Sequence, residues 1–210
     1  PLSFPVPAAH ALWKDADVVV RIGSRMRMPL LKWGTDADLK VISINIDPAD
    51  HDVMTTPTVR ITADANEAVQ ALLQQLPRLG EPRTPDPERL EALHAQWNAE
   101  TAYLEPQSTY LRIIREEMPD DGIFVDELTQ VGFASRIVWD AYQPRTYLST
   151  GYMGTLGWGF PTALGAKVGR PDAMVVSVAG DGGFMFTMAE LATAVQHKIG
   201  VILLLFNNNL

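Results

Sequence analysis

Gly180-Asp181-Gly182-Gly183 and the later run Asn207-Asn208-Asn209-Leu210 decide how this chain is interpreted. Each stretch follows a run of mostly apolar residues, and a helical pattern lies between them. Parallel strands joined by a crossover helix have their carboxyl ends side by side. Asp181 and Asn208 would then offer two oxygens to one divalent cation. The glycine turn would leave backbone N–H groups free to bind phosphate oxygens. The two stretches therefore predict a metal–diphosphate site.

The residues before and between these stretches alternate between strand and helix patterns. We predict helices at 110–117, 129–139 and 160–168, and strands at 123–125, 145–148 and 174–179. Thr187 and Glu190 have the spacing of a capping box, which predicts the start of a helix that ends at Gln196. This alternation is typical of an α/β fold with a doubly wound parallel sheet, which binds ligands at its carboxyl edge.

The first part of the chain has an α/β pattern of its own. Runs at 18–22 and 41–46 predict strands, and 59–61 predicts a short third strand. Asp64 and Glu67 form a capping box, and the helix after it has an apolar stripe that ends with Leu72, Leu73 and Leu76. The turn at 23–25 lacks the spaced glycines of the Rossmann fingerprint. We interpret this part as a structural layer, with an altered nucleotide site as the alternative.

The segment at 77–87 contains four prolines, which predicts a linker, and a mostly polar helix follows at 88–103. The chain begins with Pro1 and stops at Leu210, directly after an apolar run. We interpret it as a piece of a longer polypeptide.

Composition excludes several classes of protein. The chain has no cysteine, so disulfides and thiolate metal sites are excluded. A net charge of -8 argues against nucleic acid as a partner. The longest aliphatic run, 201–206, is too short to cross a membrane, and no signal peptide is recognised. We therefore expect a cytoplasmic location, with no nucleic-acid or membrane partner.

A family resemblance joins these features. Leu164-Gly165, then Pro171, then the strand at 176–179 and Gly-Asp-Gly-Gly match every defined position of the thiamine diphosphate enzyme signature. The asparagines follow at the separation usual in that family. The chain resembles the acetolactate synthase large-subunit group. By this resemblance, residues 1–77 are the C-terminal part of a Rossmann-like central domain. Residues 78–105 are a linker and helix, and residues 106–210 are the N-terminal part of the diphosphate-binding domain.

The resemblance implies a role for individual residues. Asp181 and Asn208 would bind Mg²⁺ through side-chain oxygens, and Leu210 through its carbonyl oxygen. Gly182 and Gly183 would present N–H groups to the diphosphate of the cofactor. Further cofactor contacts would come from Leu156, which would hold the cofactor in its bent conformation, and from Met153, Gly154, Thr129 and Gln130.

Other residues receive no binding role. Glu127 is equally well explained as a buried structural partner, and Trp158, Phe184 and Phe186 are expected in the core. His197 is expected at a helix end, where a cation is favourable, and the remaining histidines lie outside the candidate site. The resemblance implies that the glutamate that activates the cofactor belongs to a separate N-terminal domain, so we assign no catalytic residue to this chain.

The implied activity is decarboxylation and carboligation of 2-oxo acids. The segment at 128–136 reads Leu-Thr-Gln-Val-Gly-Phe-Ala-Ser-Arg, without the Gln-His-Gln-Met-Trp string of true acetolactate synthases. A simple decarboxylase of aryl or indolyl 2-oxo acids therefore remains an alternative, and FAD is in doubt. A non-catalytic nucleotide-binding module is an alternative of another class. The resemblance also implies a homodimer or homotetramer.

Overall fold

The computed structural model describes residues 7–27, 30, 38–80, 84, 86–151 and 153–209. These residues fall into two compact units that divide between Thr101 and Ala102. Leu210, the start of the chain at 1–6 and parts of the expected linker lie outside the described residues. The boundaries at 77 and 105 stay a prediction.

The first unit contains a three-stranded parallel sheet with the strand order β1-β2-β3. Its described elements are α1 (Pro7–Lys14), β1 (Val18–Ile22), β2 (Lys40–Asn45), β3 (Val59–Thr62), α2 (Ala65–Gln75) and α3 (Pro87–Thr101). Short 3₁₀ helices lie at Pro48–Asp52 and Leu76–Arg78. The register pairs Val18 with Lys40 and Ile42 with Val59. The β-branched runs thus form the strands that they predict.

The helix α2 begins where its capping residue predicts. The Asp64 carboxylate accepts hydrogen bonds from the N–H groups of Asn66 at 2.8 Å and Glu67 at 3.2 Å. The apolar stripe that follows is only partly buried, which corrects the prediction. Ala68 is buried, but Leu73 is 55% exposed, and Leu72 and Leu76 are exposed as well. Within the described part of this unit, other residues pack over the stripe near Ala68 and leave the later leucines exposed.

A buried polar cluster lies beneath the same sheet. The His51 imidazole lies 2.8 Å from the Ser43 hydroxyl and 3.1 Å from that of Thr62, and its backbone carbonyl accepts a hydrogen bond from the Arg21 guanidinium. Burial lowers the pKa of Arg21, and nearby Asp52 opposes this shift. His51 therefore serves the packing of this unit.

The second unit contains a four-stranded parallel sheet with the strand order β5-β4-β6-β7. Its described strands are β4 (Ile123–Val125), β5 (Tyr147–Leu148), β6 (Val175–Gly180) and β7 (Ile202–Phe206). Its described helices are α4 (Gln107–Glu117), α5 (Gln130–Val138), α6 (Gly159–Gly169), α7 (Asp181–Met185) and α8 (Glu190–Gln196), with a 3₁₀ helix at Ala102–Leu104.

Alternate residues of the central strands pack on opposite faces of this sheet. Phe124 packs with residues of α4 and α5, such as Leu111, whereas Val125 packs with Ala163 of α6. Helices on both faces of a parallel sheet make a doubly wound fold. The predicted α/β class is confirmed. The strand β5 is shorter than predicted because Arg145 has a φ of 64°, which lies outside the extended region.

The predicted capping box at Thr187 and Glu190 is wrong. The helix α8 begins at Glu190 and its cap, Ala189, makes no side-chain hydrogen bond. Thr187 lies instead in the turn after α7, where its N–H donates to the Phe184 carbonyl oxygen at 3.0 Å. Its hydroxyl donates to the Gly157 carbonyl oxygen at 3.2 Å. The Thr187 hydroxyl thus bonds to a distant loop at Gly157 and does not cap α8.

No helix among the described residues has both the length and the apolar character needed to cross a bilayer.

Candidate functional site

The ends of β6 and β7 bring the two diagnostic stretches to the same edge of the sheet. Gly180 is the last residue of β6 and is paired with Phe206, the last residue of β7. Asp181 follows directly as the first residue of α7, so the expected glycine turn is the first turn of a short helix. Because the two strands are parallel and their last residues are paired, Asp181 and the asparagine run begin next to each other at the same edge of the sheet.

The asparagine run forms a tight turn after β7. The Asn207 side-chain oxygen accepts a hydrogen bond from the N–H of Asn209 at 2.7 Å, and Asn209 has a left-handed φ of 59°. Asparagine tolerates this backbone conformation better than most residues with a side chain. The turn exposes Asn208 beyond the strand end.

A cavity of about 660 Å³ opens at this edge. It is lined by Pro106, Gln107, Tyr110, Leu128, Thr129, Gln130, Val131, Phe133, Leu156, Gly180, Asp181, Gly182, Gly183, Phe186, Phe206, Asn207 and Asn208. The structure thus brings most of the predicted site residues together. Met153 and Gly154 are not part of the lining, and Leu210 lies outside the described residues.

The two glycines after Asp181 differ in their surroundings. A Cβ atom built on Gly182 has no other atom within 4 Å, so this backbone faces open space. Gly183 is buried, and a Cβ atom there would lie 3.4 Å from Glu127 Cγ and 3.6 Å from Leu156 Cδ2. N–H groups in the first turn of a helix have no acceptor within that helix. Those of Gly182 and Gly183 therefore lie where a ligand of the cavity can use them.

Leu156 reaches the cavity from a loop held by close backbone contact. The next residue, Gly157, is buried with a φ of 77°, and a Cβ atom on it would lie 2.9 Å from Phe186 Cβ. Only glycine fits this conformation and this spacing without strain. Leu156 is 44% exposed and Met153 is 84% exposed.

One aromatic residue that was expected in the core, Phe186, contributes to the lining. Phe186 is 70% exposed and borders the cavity, which corrects the prediction. Phe184 instead packs edge-to-face on Phe160 with a centroid distance of 5.5 Å. Phe133 also lines the cavity, and its ring lies 5.5 Å from the Arg136 guanidinium carbon. No signal in the sequence predicts this exposure, because an aromatic residue in a core and one in a lining have the same local pattern.

The turn between β4 and α5 also lines the cavity, with Leu128 and Thr129. Thr129 is the N-cap residue of α5, but its side chain makes no capping hydrogen bond. The side-chain amides of Gln130 and Gln107 lie 2.9 Å apart. Because the Thr129 side chain makes no capping hydrogen bond, helix capping does not explain why its hydroxyl lies at the cavity.

The first two residues of this turn, Asp126 and Glu127, are buried carboxylates. Asp126 Oδ2 accepts hydrogen bonds from Arg136 at 2.9 Å, Ser149 at 3.0 Å and Tyr147 at 3.2 Å. Burial is the main cause that raises the pKa of the Tyr147 phenol. Glu127 is 1% exposed and accepts a hydrogen bond from the Gly159 N–H at 2.6 Å. The sequence left Glu127 open as a structural partner, and it did not single out Asp126.

The charge of the lining is unusual for a site that would hold a diphosphate. Among the described lining residues there is no lysine, arginine or histidine, and Asp181 supplies the charge. Over the described ranges, no three histidine, aspartate or glutamate side chains form a metal cluster. One carboxylate and one carboxamide are a donor set that suits Mg²⁺ when phosphate oxygens complete its coordination. The donor set and the open backbone at Gly182 therefore fit a Mg²⁺–diphosphate group.

Comparison with known proteins identifies the same region. Residues 128–210 match the thiamine pyrophosphate enzyme family model, "C-terminal TPP binding domain". A probable 2-ketoarginine decarboxylase of Pseudomonas aeruginosa is 32% identical over 93% of this chain and 35% of its own length. A probable acetolactate synthase large subunit of Methanococcus aeolicus is 30% identical over 96% of this chain and 37% of its own. The Escherichia coli acetolactate synthase isozyme 3 large subunit is 27% identical over 95% of this chain and 37% of its own length. The chain thus spans about a third of the length of these relatives.

Proposed function

Because residues 128–210 belong to the thiamine pyrophosphate enzyme family, we propose that the full-length gene product decarboxylates a 2-oxo acid with thiamine diphosphate and Mg²⁺. Thiamine pyrophosphate and thiamine diphosphate are two names for one cofactor. We further propose that a second 2-oxo acid accepts the group that remains of the first one after the loss of CO₂, as the names of the synthase relatives suggest. The observation that carries the proposal is the shared cavity edge of Asp181, Gly182, Gly183 and Asn208.

Asp181 and Asn208 would hold the metal. Both lie beyond the ends of paired strands and both line the cavity. The Asp181 carboxylate would repel a diphosphate on its own, and the described lining offers no basic side chain. A Mg²⁺ ion bound by Asp181 and Asn208 would offset this repulsion. We propose the Leu210 carbonyl as a further ligand.

The backbone at Gly182 and Gly183 would bind the phosphate oxygens through N–H groups of the first turn of α7. Thr129 and Gln130, which line the same cavity, would add polar contacts. Leu156, half-exposed into the same cavity, would support the middle of the cofactor by apolar contact. Met153 and Gly154 would approach the cofactor from the same loop as Leu156.

When bound, thiamine diphosphate supplies the electron sink for the carbon that loses CO₂. The described residues bind and orient this group and reduce its contact with water. We propose that the proton chemistry belongs to another domain, and that two subunits of a homodimer or homotetramer form each complete site. In this proposal residues 1–77 belong to a central domain and residues 106–210 to the diphosphate-binding domain. FAD does not enter the proposal.

A simple decarboxylase is a second candidate. The segment at 128–136 lacks the string expected of a true acetolactate synthase. Its Phe133 puts an exposed aromatic ring at the cavity wall. One relative carries the name of a 2-ketoarginine decarboxylase, which supports a reaction that stops after decarboxylation, without transfer to a second 2-oxo acid.

Titration calorimetry on the full-length gene product tests the cofactor. We expect thiamine diphosphate to bind in the presence of Mg²⁺ and much more weakly in EDTA, whereas ATP and NAD give no heat. A protein that binds the nucleotides and not thiamine diphosphate is a non-catalytic nucleotide module, and the proposal is then wrong.

Product analysis separates the two candidate reactions. The holoenzyme is incubated with pyruvate, with a 2-oxo acid that carries a guanidinium group, and with an aryl 2-oxo acid. Acetolactate from pyruvate supports carboligation. Release of CO₂ with the free aldehyde as the main product supports the decarboxylase.

A further inference from the structure

Glu127 is a buried carboxylate that no ligand of the cavity would touch. It is 1% exposed and does not belong to the cavity lining. Its Oε2 accepts the Gly159 N–H at 2.6 Å, and its Oε1 accepts the Leu128 N–H at a longer 3.4 Å. A buried carboxylate is costly unless hydrogen-bond donors stabilise it, so its place at this position calls for an explanation.

The Gly159 hydrogen bond joins Glu127 to the start of α6. Gly159 is the first residue of that helix, and the N–H groups of a first turn need an acceptor from outside the helix. A carboxylate at this end also interacts favourably with the helix dipole. The same helix start follows directly on the loop that carries Leu156 into the cavity. Glu127 therefore holds one end of that loop.

Glu127 also contacts the starts of two other helices. A Cβ atom built on Gly183, in the first turn of α7, lies 3.4 Å from Glu127 Cγ. A Cβ atom on Gly132, in the first turn of α5, would lie only 1.8 Å from the Glu127 carbonyl oxygen. The α5 backbone packs on the Glu127 main chain at Gly132, a contact that substitution of the Glu127 side chain leaves in place. The start of α7 at Gly183 lies beside the Glu127 side chain itself.

All three helices begin beside residues that line the cavity. Gln130 starts α5, Leu156 lies just before α6, and Gly182 and Gly183 belong to α7. We infer that Glu127 is a positioning residue: its side chain, bonded to the start of α6 and packed beside the start of α7, sets the placement of Leu156 and of Gly182 and Gly183 and thereby the affinity for the cofactor. This inference rests on the proposed binding of thiamine diphosphate and adds a determinant that lies behind the site.

A residue that only caps α6 would behave differently. Its loss would lower the stability of the domain, and the protein that stays folded would bind the cofactor as before. Loss of a positioning residue weakens cofactor binding in protein that is folded. Comparing the two properties in the same variants therefore separates the two roles.

The test uses the full-length gene product with Glu127→Ala and Glu127→Gln, and Asp126→Asn as the matched control. Asp126 is the neighbouring carboxylate, equally buried, and its partners Arg136, Tyr147 and Ser149 do not line the cavity. For each protein, the thermal unfolding midpoint is measured without cofactor. The Kd for thiamine diphosphate is then measured by calorimetry with Mg²⁺ at a temperature where every variant is folded.

We expect Glu127→Ala to raise this Kd at least tenfold. Glutamine keeps an oxygen that can accept the Gly159 N–H, so Glu127→Gln should recover part of the affinity. Asp126→Asn should lower the unfolding midpoint and leave the Kd within a factor of about two. If Glu127→Ala does not fold, Glu127→Gln alone decides, with an expected rise of about threefold.

A Kd that is unchanged in both Glu127 variants, with a lowered unfolding midpoint, overturns the positioning role and leaves a helix cap. An equal loss of affinity in Asp126→Asn also overturns it, since any buried carboxylate would then have the same effect. If the unsubstituted protein does not bind thiamine diphosphate, the proposed function itself is wrong.

Discussion

Replacing Gly182 with alanine should weaken cofactor binding without harming the fold. A Cβ atom at this position meets no atom within 4 Å, so the methyl group is accommodated in the protein without ligand. Alanine in place of a helical glycine stabilises by up to about 1 kcal/mol. The same methyl group would stand where a phosphate oxygen approaches the backbone. Loss of one hydrogen bond to a charged group costs about 1.5–3 kcal/mol, which corresponds to a Kd roughly 10- to 150-fold higher.

Gly165→Ala is the matched control for this substitution. Gly165 lies within α6, it also has no atom within 4 Å of a Cβ position, and it does not line the cavity. Both variants should keep or slightly raise the thermal unfolding midpoint. Calorimetry with thiamine diphosphate and Mg²⁺ should show the loss of affinity in Gly182→Ala and none in Gly165→Ala. If Gly182→Ala binds as well as the unsubstituted protein, the diphosphate does not lie against this backbone and the reasoning fails.

Three further substitutions test other parts of the structure. Asp181→Ala should make thiamine diphosphate binding independent of Mg²⁺ in calorimetry with and without EDTA; a Mg²⁺ response that persists would remove Asp181 from the metal site. Gly132→Ala would put a Cβ atom 1.8 Å from the Glu127 carbonyl oxygen, so the unfolding free energy should fall by at least about 2 kcal/mol in urea titrations, and an unchanged value would refute this packing. Burial raises the pKa of Tyr147 in the folded protein. The contribution of the neutral phenol to folding stability is therefore complete below the unfolded pKa of about 10 and is lost as the pH rises above that value. Urea titrations from pH 8 to 11 should therefore show a steeper loss of stability above pH 10 than in Tyr147→Phe, and identical curves would contradict it.

The strands could be predicted from the sequence because their signal is local. Valine-rich runs such as 175–180 are buried on both faces of a parallel sheet and can be recognised without knowing which segments pack beside them. The capping box at Thr187 failed for the opposite reason. Its hydroxyl had two acceptable partners, and the choice of the Gly157 carbonyl depends on a loop that is distant in the sequence. The left-handed Arg145 that shortens β5 has no local sequence signal either.

The candidate site shows the same division. Asp181 and Asn208 could be placed together because topology alone brings the carboxyl ends of β6 and β7 to one edge. The aromatic lining by Phe186 and the buried hydrogen bond of Glu127 depend on where the loop at 153–158 runs. That path is set by close contacts of glycine backbone with other segments, and a pattern of residue types does not contain them.

The charge of the cavity lining couples its two ligands. In the proposed site, a diphosphate beside the Asp181 carboxylate, with no basic side chain in the described lining, would be stabilised chiefly by the cation that binds there. The factor by which Mg²⁺ raises the affinity for thiamine diphosphate is then, by thermodynamic linkage, the factor by which thiamine diphosphate raises the affinity for Mg²⁺. Metal and cofactor would therefore bind cooperatively, and neither would saturate the site alone at concentrations where the pair does. A site with lysine or arginine in the place of this lining would bind the diphosphate without such coupling.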